Sequence, residues 1–392
     1  MSPRRCHATL RRTTGLAQAV VLLAILILPW KLCFTGAAVP TLRSCWRLGG
    51  NAKEPGIAVG ASAQSTDSGF LQQLQSATAS DVLQLLRQRR PELQLAESLS
   101  AFQQLLELDA DVASLIQEDV IADVLEFQVQ ALAASKRPPT KTRIALGALG
   151  LELHERGAGD SLLRAAVSSL EPARLRVAEL RDVFESRLIG LPELRAACWA
   201  ALGQLVHRTN TEFLVLAWEK LAEFQDVPTE SELVEDLLAR AHQKRLQFTQ
   251  DEQLRLLHSL ARLNQRDKTL SKTFADQAAE DITPYSVPEI VLWADSITRL
   301  SFEHPKLLRV LAQVTTWKSE QMSGSELGTM LSCFSHFGYR DEAALEDAAR
   351  RLKHLQPPLR ELRMCLEALE QLEYVDDDLQ QLAKACTLLR AG

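Results

Sequence analysis

Four stretches in the C-terminal third superpose without gaps on one pattern of apolar and polar positions. They open at Glu252, Glu289, Glu326 and Glu361, at intervals of 37, 37 and 35 residues. Apolar residues follow at helical spacing: Leu254, Leu257, Leu260 and Leu263; then Val291, Ala294, Ile297 and Leu300; then Met330, Leu331, Phe334 and Phe337; then Leu362, Leu366, Leu369 and Leu372. This is one buried stripe per helix rather than the alternation of a strand. Three residues before the first three glutamates stand Thr249, Ser286 and Ser323. In a Ser/Thr-x-x-Glu box the hydroxyl accepts from the glutamate's amide and the carboxylate reaches back to the cap amide. Three helix starts in register are therefore predicted, and Pro358 deprives the fourth of its hydroxyl.

Short polar turns follow: Asn264–Asp267, Ser301–His304, Gly338–Asp341 and Glu373–Asp376. Asp267, Asp341 and Asp376 suit the N-cap of a second helix. Its apolar side carries Leu270 and Phe274, Leu307 and Leu311, Leu345 and Leu352, Leu379 and Leu382. A hairpin recurring at such an interval is the signature of a solenoid. Upstream the pattern loosens. Ala217, Trp218, Leu221 and Phe224 form one stripe, and Leu233, Val234, Leu237 and Ala241 form its partner. Ile144–Leu153, a turn at Gly157–Asp160 and Leu162–Leu170 form another hairpin, and residues 70–135 are helical by pattern with Pro91 opening a helix. The expected fold is all-α, an α-solenoid of antiparallel helical hairpins with a period near 37 residues. Four regular repeats fill 249–392 and about four degenerate ones fill 70–248.

Composition agrees. Hydrophobic residues make up 46% of the 392 and aromatics only 5%, and the Leu- and Ala-rich remainder favours helix. Charge changes the picture more. Residues 1–53 hold eight basic residues and no acid, which leaves 36 basic against 50 acidic residues downstream, a charge near −14. An acidic body is a poor basis for non-specific nucleic-acid binding, which neutralises phosphates with Lys and Arg.

The basic N-terminus has its own organisation. Leu16–Trp30 is apolar apart from Gln18 and Pro29, with Arg11 and Arg12 before it and Lys31 after it. The run is shorter than the roughly 20 residues of a membrane span. It fits a signal-peptide core with a cleavage zone at Gly36–Ala38, a single-pass anchor being the alternative. Residues 39–69 carry Arg43, Arg47 and Lys53 against Glu54 and Asp67, a transit-peptide composition. Residues 1–69 are thus read as a targeting leader, signal-like over 1–38 and transit-like over 39–69. The order of segments resembles the bipartite leaders of algae with complex plastids, so a plastid is favoured and a mitochondrion is the alternative. The mature part is not expected to span a membrane. Of seven cysteines, Cys198, Cys333, Cys365 and Cys386 lie beyond the leader with no CxxC spacing, and read as buried thiols in a reducing compartment.

The Ser323–Leu327 opening, the leucine ladder, the Gly338–Asp341 turn and the interval between repeats resemble the heptatricopeptide repeats of alveolate organelles and the slightly longer octotricopeptide repeats. The resemblance covers 249–392 well and 70–248 loosely. It implies binding of organellar RNA in support of processing, stability or ribosome assembly. Many relatives end in a RAP domain; none is evident, which counts against a nuclease-like role.

No enzyme site is expected. Cys333 and His336 are three apart, but a zinc site takes about four ligands, and no second pair matches. Gly147, Gly150, Gly157 and Gly159 lack the order of a phosphate loop. No GxSxG elbow occurs, and Asp376–Asp378 lacks the alternating ligands of a calcium loop. No cofactor, metal or small-molecule substrate is expected. One constellation remains. Counted from the aligned glutamate, positions three, six and ten subtend about 60° and lie nearly opposite the apolar stripe. In the first repeat these are Arg255, His258 and Arg262, and the tenth position continues as Arg299, His336 and Gln371. Repeat proteins that read single-stranded RNA set a few side chains per repeat against each base, so these six are the RNA-binding candidates. A solvated helix face is the alternative for the residues, and a protein-interaction scaffold is the alternative for the function.

Overall fold

The computed structural model describes residues 68–89, 93–108, 119–134, 138–157 and 159–381. Residues 1–67 of the leader, Pro91, Leu382 and Cys386 lie outside them. Among the described residues every regular element is helical and no strand occurs. The N-terminal part comprises α1 (Ser68–Gln75), α2 (Ala79–Arg89), α3 (Leu95–Glu107), α4 (Asp119–Ala133), α5 (Thr140–Glu155), α6 (Asp160–Leu170), α7 (Val177–Glu185) and α8 (Pro192–Leu205). Then follow the hairpins α9 (Thr211–Phe224) with α10 (Glu232–Lys244), α11 (Gln250–Arg262) with α12 (Lys268–Glu280), α13 (Val287–Leu300) with α14 (Pro305–Lys318), and α15 (Gly324–His336) with α16 (Glu342–Leu355). Helix α17 (Leu359–Gln371) starts the next. The first helices, α9, α11, α13, α15 and α17, pack side by side in one layer, and α12, α14 and α16 pack in a second. This is the expected all-α solenoid.

The glycines singled out above turn out to be structural. A Cβ on Gly150 would meet the Leu163 backbone at 2.8 Å, so α5 and α6 approach as closely as backbones can. Gly157 and Gly159 supply the left-handed residues of the turn between them, at φ 85° and 79°.

Within the regular hairpins the local chemistry recurs. The carboxylates of Glu252, Glu289 and Glu326 accept from the amides of Thr249, Ser286 and Ser323 at 2.8, 2.7 and 2.8 Å. The hydroxyls of Thr249 and Ser323 accept in return at 3.3 Å, and those of Ser286 and Ser323 donate to Glu289 and Glu326. Pro358 caps nothing. Asp267, Asp341 and Asp376 accept from the amides of Leu270, Ala344 and Leu379. In α14 the cap is His304, whose Nδ1 accepts from Leu307 at 3.1 Å. Its Nε2 must then carry the proton, and it faces Asp276 on α12 at 3.1 Å.

Each turn between first and second helix contains one left-handed residue at the same register: Asn264, Ser301, Gly338 and Glu373, with φ of 53°, 49°, 61° and 57°. The next amide in each case reaches back five residues, from Gln265, Phe302, Tyr339 and Tyr374 to the carbonyls of Leu260, Ile297, Phe334 and Leu369. This is a Schellman closure. At the other end the residue before each first-helix cap is buried, and its carbonyl is held from within the hairpin. Arg240 donates to Thr209 at 3.1 Å, Lys318 to Tyr285 at 3.0 Å and Arg351 to Met322 at 3.5 Å. For Phe248 the donor is Gln253, which also donates to Gln277 of the second helix.

Leu254, Leu257, Leu260, Ala294, Ile297, Leu331 and Phe334 are buried as expected, as are Leu270, Phe274, Leu307, Leu311, Leu345 and Leu352. The buried arc is wider than one stripe, because each interior first helix touches a neighbour on either side as well as its own partner. Leu256, Ile290, Trp293, Leu327 and Cys333 fill the additional width.

Candidate nucleic-acid interface

That width decides which residues a ligand can reach. Between its first turn and Arg262, α11 has no fully exposed residue; α13 has none between Pro288 and Arg299, and α15 none between Ser325 and His336. Beyond the first turn, position ten is therefore the first open place on each interior first helix. Positions three and six, placed by sequence on the open face, lie instead in the seams between repeats.

Arg255 shows the consequence. Its guanidinium donates to both Glu219 oxygens of α9 at 2.7 Å, and to Asp251 at 3.3 Å. The Glu219 bond, ahead of the opposing effect of burial, raises its pKa and keeps it charged. A planar fork already engaged by a carboxylate is committed to the seam rather than to a ligand. His258 is half-buried, with Nδ1 3.4 Å from the Ser296 hydroxyl of α13. Because that hydroxyl donates to Leu292 at 2.7 Å, its oxygen is the acceptor for Nδ1–H, and Nε2 is left as an acceptor. Burial lowers the His258 pKa; Asp295 opposes this, and the positive charges of Arg262 and Arg299 add to it. His258, Arg262, Arg299 and Asp295 thus form one electrostatic cluster across two repeats.

Arg262 is exposed and has no ion-pair partner among the described residues. Arg299 is exposed and pairs with Asp295 at 2.7 Å within its own helix, a contact worth a few tenths of a kcal/mol, about 0.3–0.5. His336 is exposed, with its ring edge-on to Phe337 at 4.8 Å. Gln371 is exposed and accepts from the Ser335 hydroxyl one repeat earlier. Arg262, Arg299 and His336 all occupy the last turn of their helices. A positive charge there complements the negative end of the helix dipole, which accounts for the placement of Arg262 and Arg299 without a ligand.

Cys333 is buried while His336 is exposed, so the two face different surroundings; burial pushes the Cys333 thiol up to about 11. No helix among the described residues is long and apolar enough to cross a membrane. Sequence reasoning missed Glu219 and Asp295 as partners. The signal available for Glu219 was its position 36 residues before Arg255, close to one repeat.

A family model for RNA-editing substrate-binding complex 6 proteins matches residues 237–357. The match begins inside α10 and ends just before α17, so it contains three complete hairpins and all the candidates except Gln371. No individual curated protein matches the chain. The similarity fits an RNA-associated helical-repeat chain and does not single out the heptatricopeptide or octotricopeptide families. The family's name describes a component of a binding complex rather than a reaction.

Proposed function

We propose that this protein is an organellar helical-repeat protein that binds single-stranded RNA, in the service of RNA processing, stability or ribosome assembly, with no catalytic role of its own. The observation that carries this is the similarity of residues 237–357 to RNA-editing substrate-binding complex 6 proteins, over the hairpins that present Arg262 and Arg299. In this reading the two arginines meet phosphate or base at the ends of α11 and α13. The His258 Nε2 acceptor lies in the same cluster, and Arg255 holds α9 against α11. The leader over 1–69, the degenerate repeats over 70–248 and the regular repeats over 249–392 belong to the same proposal. Delivery to an organelle rests on the leader's composition, and the family similarity fits the mitochondrial alternative rather than the plastid.

A protein-interaction scaffold is the second reading. It is favoured by the acidic body and by the carboxylates that already occupy Arg255 and Arg299.

The test is a double substitution, Arg262→Ala with Arg299→Ala. Both side chains are exposed, so stability should change by no more than about 0.5 kcal/mol each. RNA affinity should fall, and the slope of log affinity against log salt should shrink by about 0.7 for each phosphate that is no longer neutralised. Arg351 is unsuitable as a control because it holds Met322 and Glu320. Arg164 and Arg174, exposed and outside the matched span, provide the same change of charge. Unaltered affinity in the double variant, or no affinity in the wild type at low salt, refutes the RNA reading and leaves the scaffold.

A further inference from the structure

The second-helix layer carries an aromatic that the first-helix column does not use. Trp317, near the end of α14, is 68% exposed. It is the one exposed large apolar side chain on α12, α14 and α16 among the described residues. Val314 and Thr315 beneath it are buried, so the core closes without the indole. The other exposed residues of α14 are Pro305, Lys306, Arg309 and Gln313.

The charges on this layer are unevenly committed. Lys272, Arg350, Arg351 and Lys353 on the flanking helices pair with Asp276, Asp347, Glu320 and Asp376. Lys306 and Arg309 have no acidic partner among the described residues. By helix geometry Lys306 lies about 16 Å from Trp317 along the axis and only about 20° around it, and Arg309 lies about 12 Å away. Aligned cap to cap, the place of Trp317 is taken by His354 on α16, also exposed, about one helix spacing or 8–10 Å away. On α12 it is taken by exposed Glu280.

We infer that the face of α14 from Lys306 to Trp317 is a stacking site for single-stranded RNA, separate from the column at the ends of α11 and α13. The indole takes one base on its face, and Lys306 and Arg309 take phosphates of neighbouring nucleotides. This rests on the RNA reading above but not on the column. A docked protein would need apolar surface around its tryptophan anchor to exclude water, and from Lys306 to Trp317 the other exposed residues of α14 are Arg309 and Gln313. Stacking needs only an accessible ring face and cations along the backbone's path.

The experiment titrates the full-length protein with a fluorescently labelled oligouridylate of about 12 nucleotides at low salt. Trp317→Ala, Trp317→Phe and the pair Lys306→Ala with Arg309→Ala are compared with wild type and with the Arg262/Arg299 double variant. Circular dichroism confirms that each variant is folded. Trp317→Ala should weaken binding roughly five- to a hundredfold, the loss of one stacked base. Trp317→Phe should retain most of the affinity, and the cation pair should weaken binding with a shallower salt dependence. Wild-type affinity in Trp317→Ala overturns the stacking site, while a loss confined to the Arg262/Arg299 variant leaves the RNA reading standing without it. Loss of a co-purifying protein in Trp317→Ala with RNA affinity intact assigns the face to protein docking instead. Absence of RNA binding by the wild type overturns both proposals together.

Discussion

The left-handed residue that closes each turn between first and second helix permits a test in which the sign changes from repeat to repeat. Ser301, Gly338 and Glu373 adopt nearly the same φ, 49°, 61° and 57°, but only one of them is glycine. An L-residue in this region costs roughly 1–2 kcal/mol relative to its right-handed form. Glycine avoids that and loses roughly 0.5–1 kcal/mol more conformational freedom on folding. The difference leaves about 0.5–1 kcal/mol in favour of glycine at each site. Little else changes on substitution. Ser301 is exposed and makes no side-chain hydrogen bond, and Glu373 lies 3.6 Å from Arg340 while 88% exposed, a pairing worth little. Ser301→Gly and Glu373→Gly should therefore each raise stability by about 0.5–1 kcal/mol, and together by their sum because they lie two repeats apart. Gly338→Ala should lower it by a similar amount, purely through the backbone, since a Cβ there meets nothing within 4 Å. Asn264→Gly should do less, because asparagine tolerates the region. Urea denaturation followed by circular dichroism measures this as midpoint shifts at constant slope. A lowered midpoint in either glycine variant, or an unmoved one in Gly338→Ala, refutes the reasoning.

Two further outcomes follow from packing and charge. Gly150→Ala drives a methyl into the Leu163 backbone and should destabilise by about 1–3 kcal/mol. Gly203→Ala, whose new Cβ meets only a Leu233 methyl at 3.8 Å, should instead stabilise by up to about 1 kcal/mol through helix propensity; equal effects in a melting comparison would show that the close approach of α5 and α6 is unimportant. Burial lowers the His258 pKa below 6.5, so below that pH the unfolded chain binds more protons than the folded one and stability falls as pH falls. The contribution is fully present above about pH 7, and His258→Gln should flatten the denaturation midpoint between pH 7.5 and 5.5 relative to wild type; parallel profiles would remove the assignment.

What the sequence disclosed is local. Ser323 and Glu326, or Asp341 at the start of α16, announce helix starts because the groups that satisfy one another are three residues apart. His304 takes the place of an aspartate, but only in one tautomer, fixed by Asp276 on another helix, and no spacing rule reveals that. All four turns were placed in register, but Ser301 and Glu373 adopt a glycine's conformation without being glycine, so their left-handed backbone was not legible as it was at Gly338. Arg255 and His258 were misplaced for a geometrical reason. A helical wheel knows one buried side, whereas an interior helix of a stack has three, and the seam with Glu219 or Ser296 takes the residues that the wheel leaves in water. Arg262 and Arg299 kept their exposure because they stand at the helix ends, beyond the reach of the adjoining helices.

The carbonyl ahead of each first helix is secured by a donor from the same hairpin: Arg240 for Thr209, Lys318 for Tyr285 and Arg351 for Met322. A segment one repeat long that starts at this carbonyl, Tyr285 to Gln321, thus contains its own cap, turn closure and carbonyl donor. At both ends it offers the chemistry that the adjoining unit meets already. Duplication or excision of such a segment changes the number of hairpins without leaving a backbone group stranded at the join. Array length, and with it the span of surface on offer, can therefore vary in whole units while the stability of each unit stays almost constant.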